Sequence, residues 1–268
     1  MPDALVAGCS IIRNATILDF PLEASVRSVL PGVDDFVLAV GASEDDTRER
    51  AERLAHDEPK VRLLDTVWDT TQGATVLSTQ TNLALAACQA RQRETGALLM
   101  HAYDQPEVVI GAGTLAAEIE ADAGALPDRI LVSVGGGGLV AGIAAWCAGR
   151  CRVDALEPER APTLHAARER GQPVDVAVSG LAADSLGAQR IGGIAWEISR
   201  RWVDGSLLLP DEAIRAAQQR LWRDYRLAVE PAAALGPAAL WSGALRPQPH
   251  ERVAVVLCGA NFDPASLA

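Results

Sequence analysis

Along the chain, short blocks of Val, Ile and Leu alternate with longer Ala/Arg/Glu stretches whose apolar positions recur at helical spacing. This alternation predicts an α/β fold, a three-layer arrangement in which a mostly parallel sheet carries helices on both faces. The predicted strands are Phe36–Gly41, Val61–Thr66, Leu98–Ala102, Arg129–Val134, Arg152–Glu157, Ser206–Leu209 and Arg252–Cys258. Most are apolar throughout, as strands buried on both faces require. Helices are predicted over Ala84–Glu94, Thr114–Ala123, Leu139–Ala148, Gln189–Val203, Asp211–Asp224 and Ala232–Ser242. Trp68–Asn82 (WDTTQGATVLSTQTN) is polar and rich in turn formers, which suggests a seam between a segment 1–83 and a segment 84–268.

The sharpest local signal lies in Asp128–Gly149 (DRILVSVGGGGLVAGIAAWCAG), where a buried-type strand meets four glycines and then an Ala-rich helix. Without Cβ atoms the backbone approaches a ligand closely, and the free N–H groups of a helix start favour an anion. Gly135, Gly136, Gly137 and Gly138 are therefore the candidate phosphate-binding residues; a tight strand-to-helix packing turn is the alternative. Gly136–Ala141 (GGGLVA) also satisfies the dinucleotide pattern, with Glu157 about 20 residues on, so NAD remains open at this point. Glu251–Pro264 (ERVAVVLCGANFDP) is a second strand ending in small polar residues, the place where a parallel sheet presents groups to a ligand.

Composition narrows the partners. The 268 residues hold 24 basic and 35 acidic side chains, a net charge of −11 that argues against a nucleic-acid partner. No apolar run is long enough to span a membrane and the N-terminus has no leader pattern, so a cytoplasmic protein with reduced thiols at its five cysteines is expected. Of the 24 basic residues one alone, Lys60, is a lysine. Arginine cannot replace it where a primary amine must form an imine.

Six ordered motifs, HAYDQPEVVIGAGTLAAEI, SVGGGGLVAGIA, ALEPE, LAADSLGA, VEPAAA and VVLCGANFDP, run from His101 to Pro264. In these the chain, from about Ala84 onward, resembles the pyridoxal-phosphate enzymes of the serine/threonine dehydratase (threonine ammonia-lyase) family, of fold type II. The resemblance implies pyridoxal 5′-phosphate as cofactor, a small hydroxy amino acid as substrate, and β-elimination to a 2-oxo acid and ammonia. It implies that the tetraglycine turn takes the cofactor phosphate and that Cys258 lies beside the pyridine nitrogen; on chemistry alone a packed strand-end thiol explains Cys258 as well. Glu157 and the carbonyl of Ala161 resemble positions that hold a divalent cation in some relatives, but Thr163 stands where an acid is expected, so no metal is assigned.

His101, His165 and His250 show no ligand spacing and are read as structural or exposed; Asp104 and Asp184 are read as solvated or turn-stabilising. The resemblance also implies a Ser-x-Lys segment near the N-terminus, and none is recognisable. Lys60 sits in HDEPKVRLL, a solvated turn ahead of a strand, so no catalytic residue is assigned. Residues 1–83 resemble instead the opening of a family 2 glycosyltransferase of GT-A fold, through Arg13-Asn14, Pro21, Ser25, Ser28 and Gly41–Thr47. That resemblance implies a nucleotide-sugar site at Ser43 and Asp45, and a chimera of two α/β parents. The expected function is thus an impaired dehydratase-like lyase, with three alternatives: a non-catalytic cofactor-binding chimera, a nucleotide-sugar-binding fragment, or an NAD-binding protein. Self-association is left open.

Overall fold

The computed structural model describes residues 5–69, 75–96, 98–99 and 101–260. The chain forms two compact units, Met1–Met100 and His101–Ala268. Position 83/84, where the sequence suggested a change of segment, falls inside a helix of the first unit.

In the first unit, strands β1 (Val6–Ile12), β2 (Asp35–Gly41), β3 (Val61–Thr66) and β4 (Leu98–Leu99) form a parallel sheet in the order β3-β2-β1-β4. Alternate residues of β2 supply the reason it sits centrally. Phe36, Leu38 and Val40 pack with Leu22 and Val26 of α1 (Leu22–Val29) and with Ala51 and Leu54 of α2 (Thr47–Asp57). Helix α3 (Thr75–Thr95) packs against β1 and β2. It begins nine residues before the predicted Ala84, because the buried stripe Gln80, Ala84, Cys88 starts with a glutamine. Burial is tolerated there because Gln80 Nε2 donates to the Val67 carbonyl. Strand β1 was not foreseen: Gly8, Cys9 and Ser10 interrupt its apolar run.

The second unit repeats the same order, β7-β6-β5-β8, again all parallel, with β5 (Arg129–Ser133), β6 (Arg152–Pro158), β7 (Gly205–Leu209) and β8 (Val253–Val255). The pleat sorts its core into two layers. Ile130, Val132, Val153 and Ala155 point to the face covered by α4 (Pro106–Ala123), α5 (Gly138–Cys147), α6 (Thr163–Arg170) and α7 (Gly193–Trp202). Leu131 and Leu156 point to the opposite face, under α8 (Asp211–Arg220) and α9 (Leu235–Trp241). The expected three layers are therefore present.

Helix α4 starts at Pro106, eight residues before its predicted start, since Gly111 and Gly113 depress helix propensity. Gly113 is needed for contact: a Cβ on it would lie 2.9 Å from the Gly142 carbonyl of α5, and one on Gly142 would lie 2.4 Å from the Val109 carbonyl. Buried Arg129 ties β5 to its neighbours, pairing with Asp154 and, at 2.7 Å, with Glu251. Among the described residues no helix is long and apolar enough to cross a membrane.

Candidate functional site

In an open parallel sheet, ligands bind beyond the carboxyl ends of the strands where the strand order reverses. In the second unit that point lies between β5 and β8. The tetraglycine turn follows β5, and Cys258 follows β8, so both predicted groups belong to the same switch point. Gly137 has φ +90° and is the N-cap of α5; a Cβ there would also sit 2.4 Å from Ile191 Cδ1. On Gly136 a Cβ would strike the ring of Tyr103, which roofs the turn and which the sequence reading did not single out.

The hydrogen bonds explain how this backbone can receive an anion. The carbonyls of the turn point inward and are bound: Gly135 O by the Thr163 hydroxyl (2.5 Å), Gly136 O by Gly192 N–H (3.0 Å), Gly137 O by Ala141 N–H (2.9 Å). Among the described residues, no acceptor is found for the N–H groups of Gly135 to Leu139. Several unpaired donors at a helix N-terminus in one short turn form a concave donor set suited to phosphate.

Around the turn, side chains hold backbone in place. Asp104 accepts N–H bonds from Gly193 (2.9 Å) and Ile194 (2.8 Å), capping α7. His101 Nδ1 accepts the N–H groups of Tyr103 (3.2 Å) and Asp104 (2.9 Å). His165 Nδ1 lies 3.2 Å from Ser206 Oγ, and His250 is exposed with φ +68°. Asp184 is exposed. Cys258 is exposed at the mouth of the sheet, and desolvation, then Glu230, raises its thiol pKa above the ordinary value; the contact with Ser133 opposes the rise.

Glu157 removes one of the alternatives that the sequence left open. It is fully buried, and its carboxyl accepts N–H bonds from Leu164 (2.7 Å) and His165 (2.8 Å) at the start of α6. A group enclosed in this way cannot meet a ribose hydroxyl, so the dinucleotide reading of the glycine turn fails. The same bonds occupy both oxygens, and Thr163 is neutral; no group of three His, Cys, Asp or Glu side chains with metal-site geometry occurs among the described residues. Desolvation by burial pushes the Glu157 pKa up to about 7, against the lowering effect of Leu164, His165, Thr163 and Ser206.

In the first unit, Lys60 Nζ donates to the carbonyls of Leu30 (3.0 Å) and Val33 (2.6 Å). It immediately precedes β3, at the amino-terminal end of the strands, opposite the edge where such sheets receive ligands. Ser43 Oγ accepts the Asn14 N–H (3.0 Å) and donates to the Gly41 carbonyl (2.9 Å). Asp45 accepts N–H bonds from Thr16, Ile17 and Thr47. Both side chains are consumed in holding a loop, which leaves the nucleotide-sugar role without free groups.

A parallel α/β sheet with a turn of N–H donors at its switch point defines a class of α/β folds in which ligands bind beyond the strand ends. Residues 69–259 match the family described as pyridoxal-phosphate dependent enzyme, and the chain belongs to that family. It is 38% identical over 180 residues to phenylserine dehydratase of Ralstonia pickettii, covering 66% of this chain and 55% of that protein. With L-threonine dehydratase biosynthetic IlvA of Escherichia coli K12 it shares 37% over 165 residues, 60% of this chain and 32% of the other. The chain thus spans about half, or less, of these relatives. In structure it resembles T.th. threonine deaminase (TM-score 0.70, 25% identity, 97% of this chain, 79% of that one). Maize serine racemase shares the fold (TM-score 0.69, 22% identity, 98% and 75%). The fold is therefore that of the fold type II pyridoxal-phosphate enzymes across nearly the whole chain, and the glycosyltransferase resemblance of residues 1–83 finds no support.

The family implies pyridoxal 5′-phosphate, and the residues present fit it at one end. The glycine turn offers the donors and the close backbone approach that the phosphate needs. No amine fits the aldehyde end: the one lysine among these 268 residues is engaged with two carbonyls at the wrong edge of its sheet.

Proposed function

We propose that this chain is a dehydratase-type member of the family that keeps the cofactor's phosphate site and carries out β-elimination of a hydroxy amino acid poorly. The observation that supports it is the row of N–H groups from Gly135 to Leu139 that have no acceptor among the described residues, at the β5/β8 switch point. Cys258, at the end of the neighbouring strand, is the group proposed to face the cofactor ring. A thiol there is a weak acid and does not hold a proton on a ring nitrogen as a carboxylate would.

The proposed impairment follows from Lys60. A positioned proton-transfer group contributes about 10²–10⁴-fold to a rate, and among the 268 residues no lysine amine is free to serve. The test is release of ammonia and 2-oxo acid from L-threonine and L-serine with added pyridoxal 5′-phosphate, with phenylserine dehydratase of Ralstonia pickettii on its own substrate as reference. Turnover at least about 100-fold below the reference is expected. Equal turnover would overturn the impairment, and failure to retain the cofactor would overturn the reading as a whole.

A further inference from the structure

The glycine turn receives one side-chain hydrogen bond among the described residues, and it comes from Thr163. Thr163 opens α6, is fully buried, and lies on a different element from the turn it touches. Its Oγ1 is 2.5 Å from the Gly135 carbonyl and 3.1 Å from Glu157 Oε1. Glu157 itself is fixed by the N–H groups of Leu164 and His165, so the hydroxyl is held from the α6 side and reaches the Gly135 carbonyl from a fixed position.

A trans peptide unit is planar, with its C=O and N–H pointing in opposite directions. Fixing the carbonyl of one glycine therefore aims the N–H of the next. The bond to Gly136 O from Gly192 sets the Gly137 N–H, and the bond to Gly137 O from Ala141 sets the Gly138 N–H. Both of those anchors are backbone groups. The Gly136 N–H depends on the Gly135 carbonyl, and that carbonyl depends on Thr163. Glycine has no side chain to restrain its dihedrals, so without that bond this plane is the least restrained of the turn.

We infer that Thr163 is a positioning residue for the glycine turn: its hydroxyl locks the Gly135–Gly136 peptide plane so that the Gly136 N–H points at a bound phosphate. The inference rests on the proposed phosphate role of the turn and adds the residue that shapes it. It acts through the backbone and touches no ligand.

The test uses the ¹⁵N-labelled full chain as wild type, Thr163→Val and Thr163→Ser, titrated with inorganic phosphate. Valine keeps the shape and removes the hydroxyl; serine keeps the hydroxyl. In wild type and Thr163→Ser the Gly136 amide is expected to be rigid, with an order parameter near 0.85, and to shift on phosphate addition. In Thr163→Val the order parameter is expected below about 0.6, and phosphate affinity about tenfold weaker, the loss of one hydrogen bond to a charged group. Should Thr163→Val not fold, Thr163→Ala is read in the same way. A valine variant with unchanged Gly136 order and affinity, or a serine variant that behaves as valine does, would overturn the assignment. If Gly136 loses order in Thr163→Val while wild type shows no phosphate shift, the hydroxyl anchor stands and the phosphate reading falls.

Discussion

Replacing Glu157 with glutamine should flatten the pH dependence of stability in the second unit. Burial raises the Glu157 pKa from 4.5 to about 7, and each unit corresponds to about 1.4 kcal/mol, so the difference between protonation states is about 3 kcal/mol. The sign follows from the direction. A folded-state pKa above the unfolded one means that folding takes up a proton, so the contribution is complete below pH 4.5 and is lost as pH rises through about 7. The assay is urea unfolding followed by tryptophan fluorescence between pH 4.5 and 8. Five of the six tryptophans lie in residues 101–268 and report on that unit. Glu157→Gln carries a constant cost of about 1–3 kcal/mol, since its amide group faces one of the N–H donors now bound by a carboxyl oxygen. The diagnostic is therefore the slope: wild type should lose about 3 kcal/mol more than the variant across the window. The contribution of Glu23, held near 2 by Arg50, is common to both proteins and cancels in the difference. Parallel curves would refute the reasoning.

Gly137→Ala should lower stability by about 2 kcal/mol and abolish phosphate-dependent ligand retention, because φ +90° and the 2.4 Å approach to Ile191 exclude a Cβ; calorimetry and equilibrium dialysis read the two effects. Arg129→Met leaves Asp154 and Glu251 without their buried cation and should cost about 3–5 kcal/mol in denaturant unfolding. Lys60→Met should cost about 1 kcal/mol, through its lost bonds to the Leu30 and Val33 carbonyls, and should leave cofactor retention and any ammonia release at wild-type levels.

The second unit was legible because its signals were local. The apolar runs of β5, β6 and β7 and the four glycines after β5 each carry their meaning within a few residues. What escaped was set by contacts between distant residues. The early start of α4 depends on Gly113 meeting Gly142, and the long α3 depends on Gln80 finding the Val67 carbonyl. Glu157 fitted a dinucleotide spacing until its carboxyl proved to be buried as the cap of α6. The glycosyltransferase resemblance has a similar origin: a parallel β3-β2-β1-β4 sheet is an order shared by many doubly wound folds, so its strand and helix pattern does not distinguish the parents. Tyr103 had no signal of its own, and Thr163 stood out as a neutral residue where an acid was expected; what matters in each is a contact across the fold to the glycine turn.

Retention of pyridoxal 5′-phosphate against pyridoxal, with borohydride treatment of the retained sample and mass analysis of the Lys60 peptide, tests the account most directly. Retention of the phosphorylated form alone, displaced by inorganic phosphate and leaving Lys60 unmodified, is the predicted result. Equal retention of both forms, or a reduced adduct on Lys60, would contradict it.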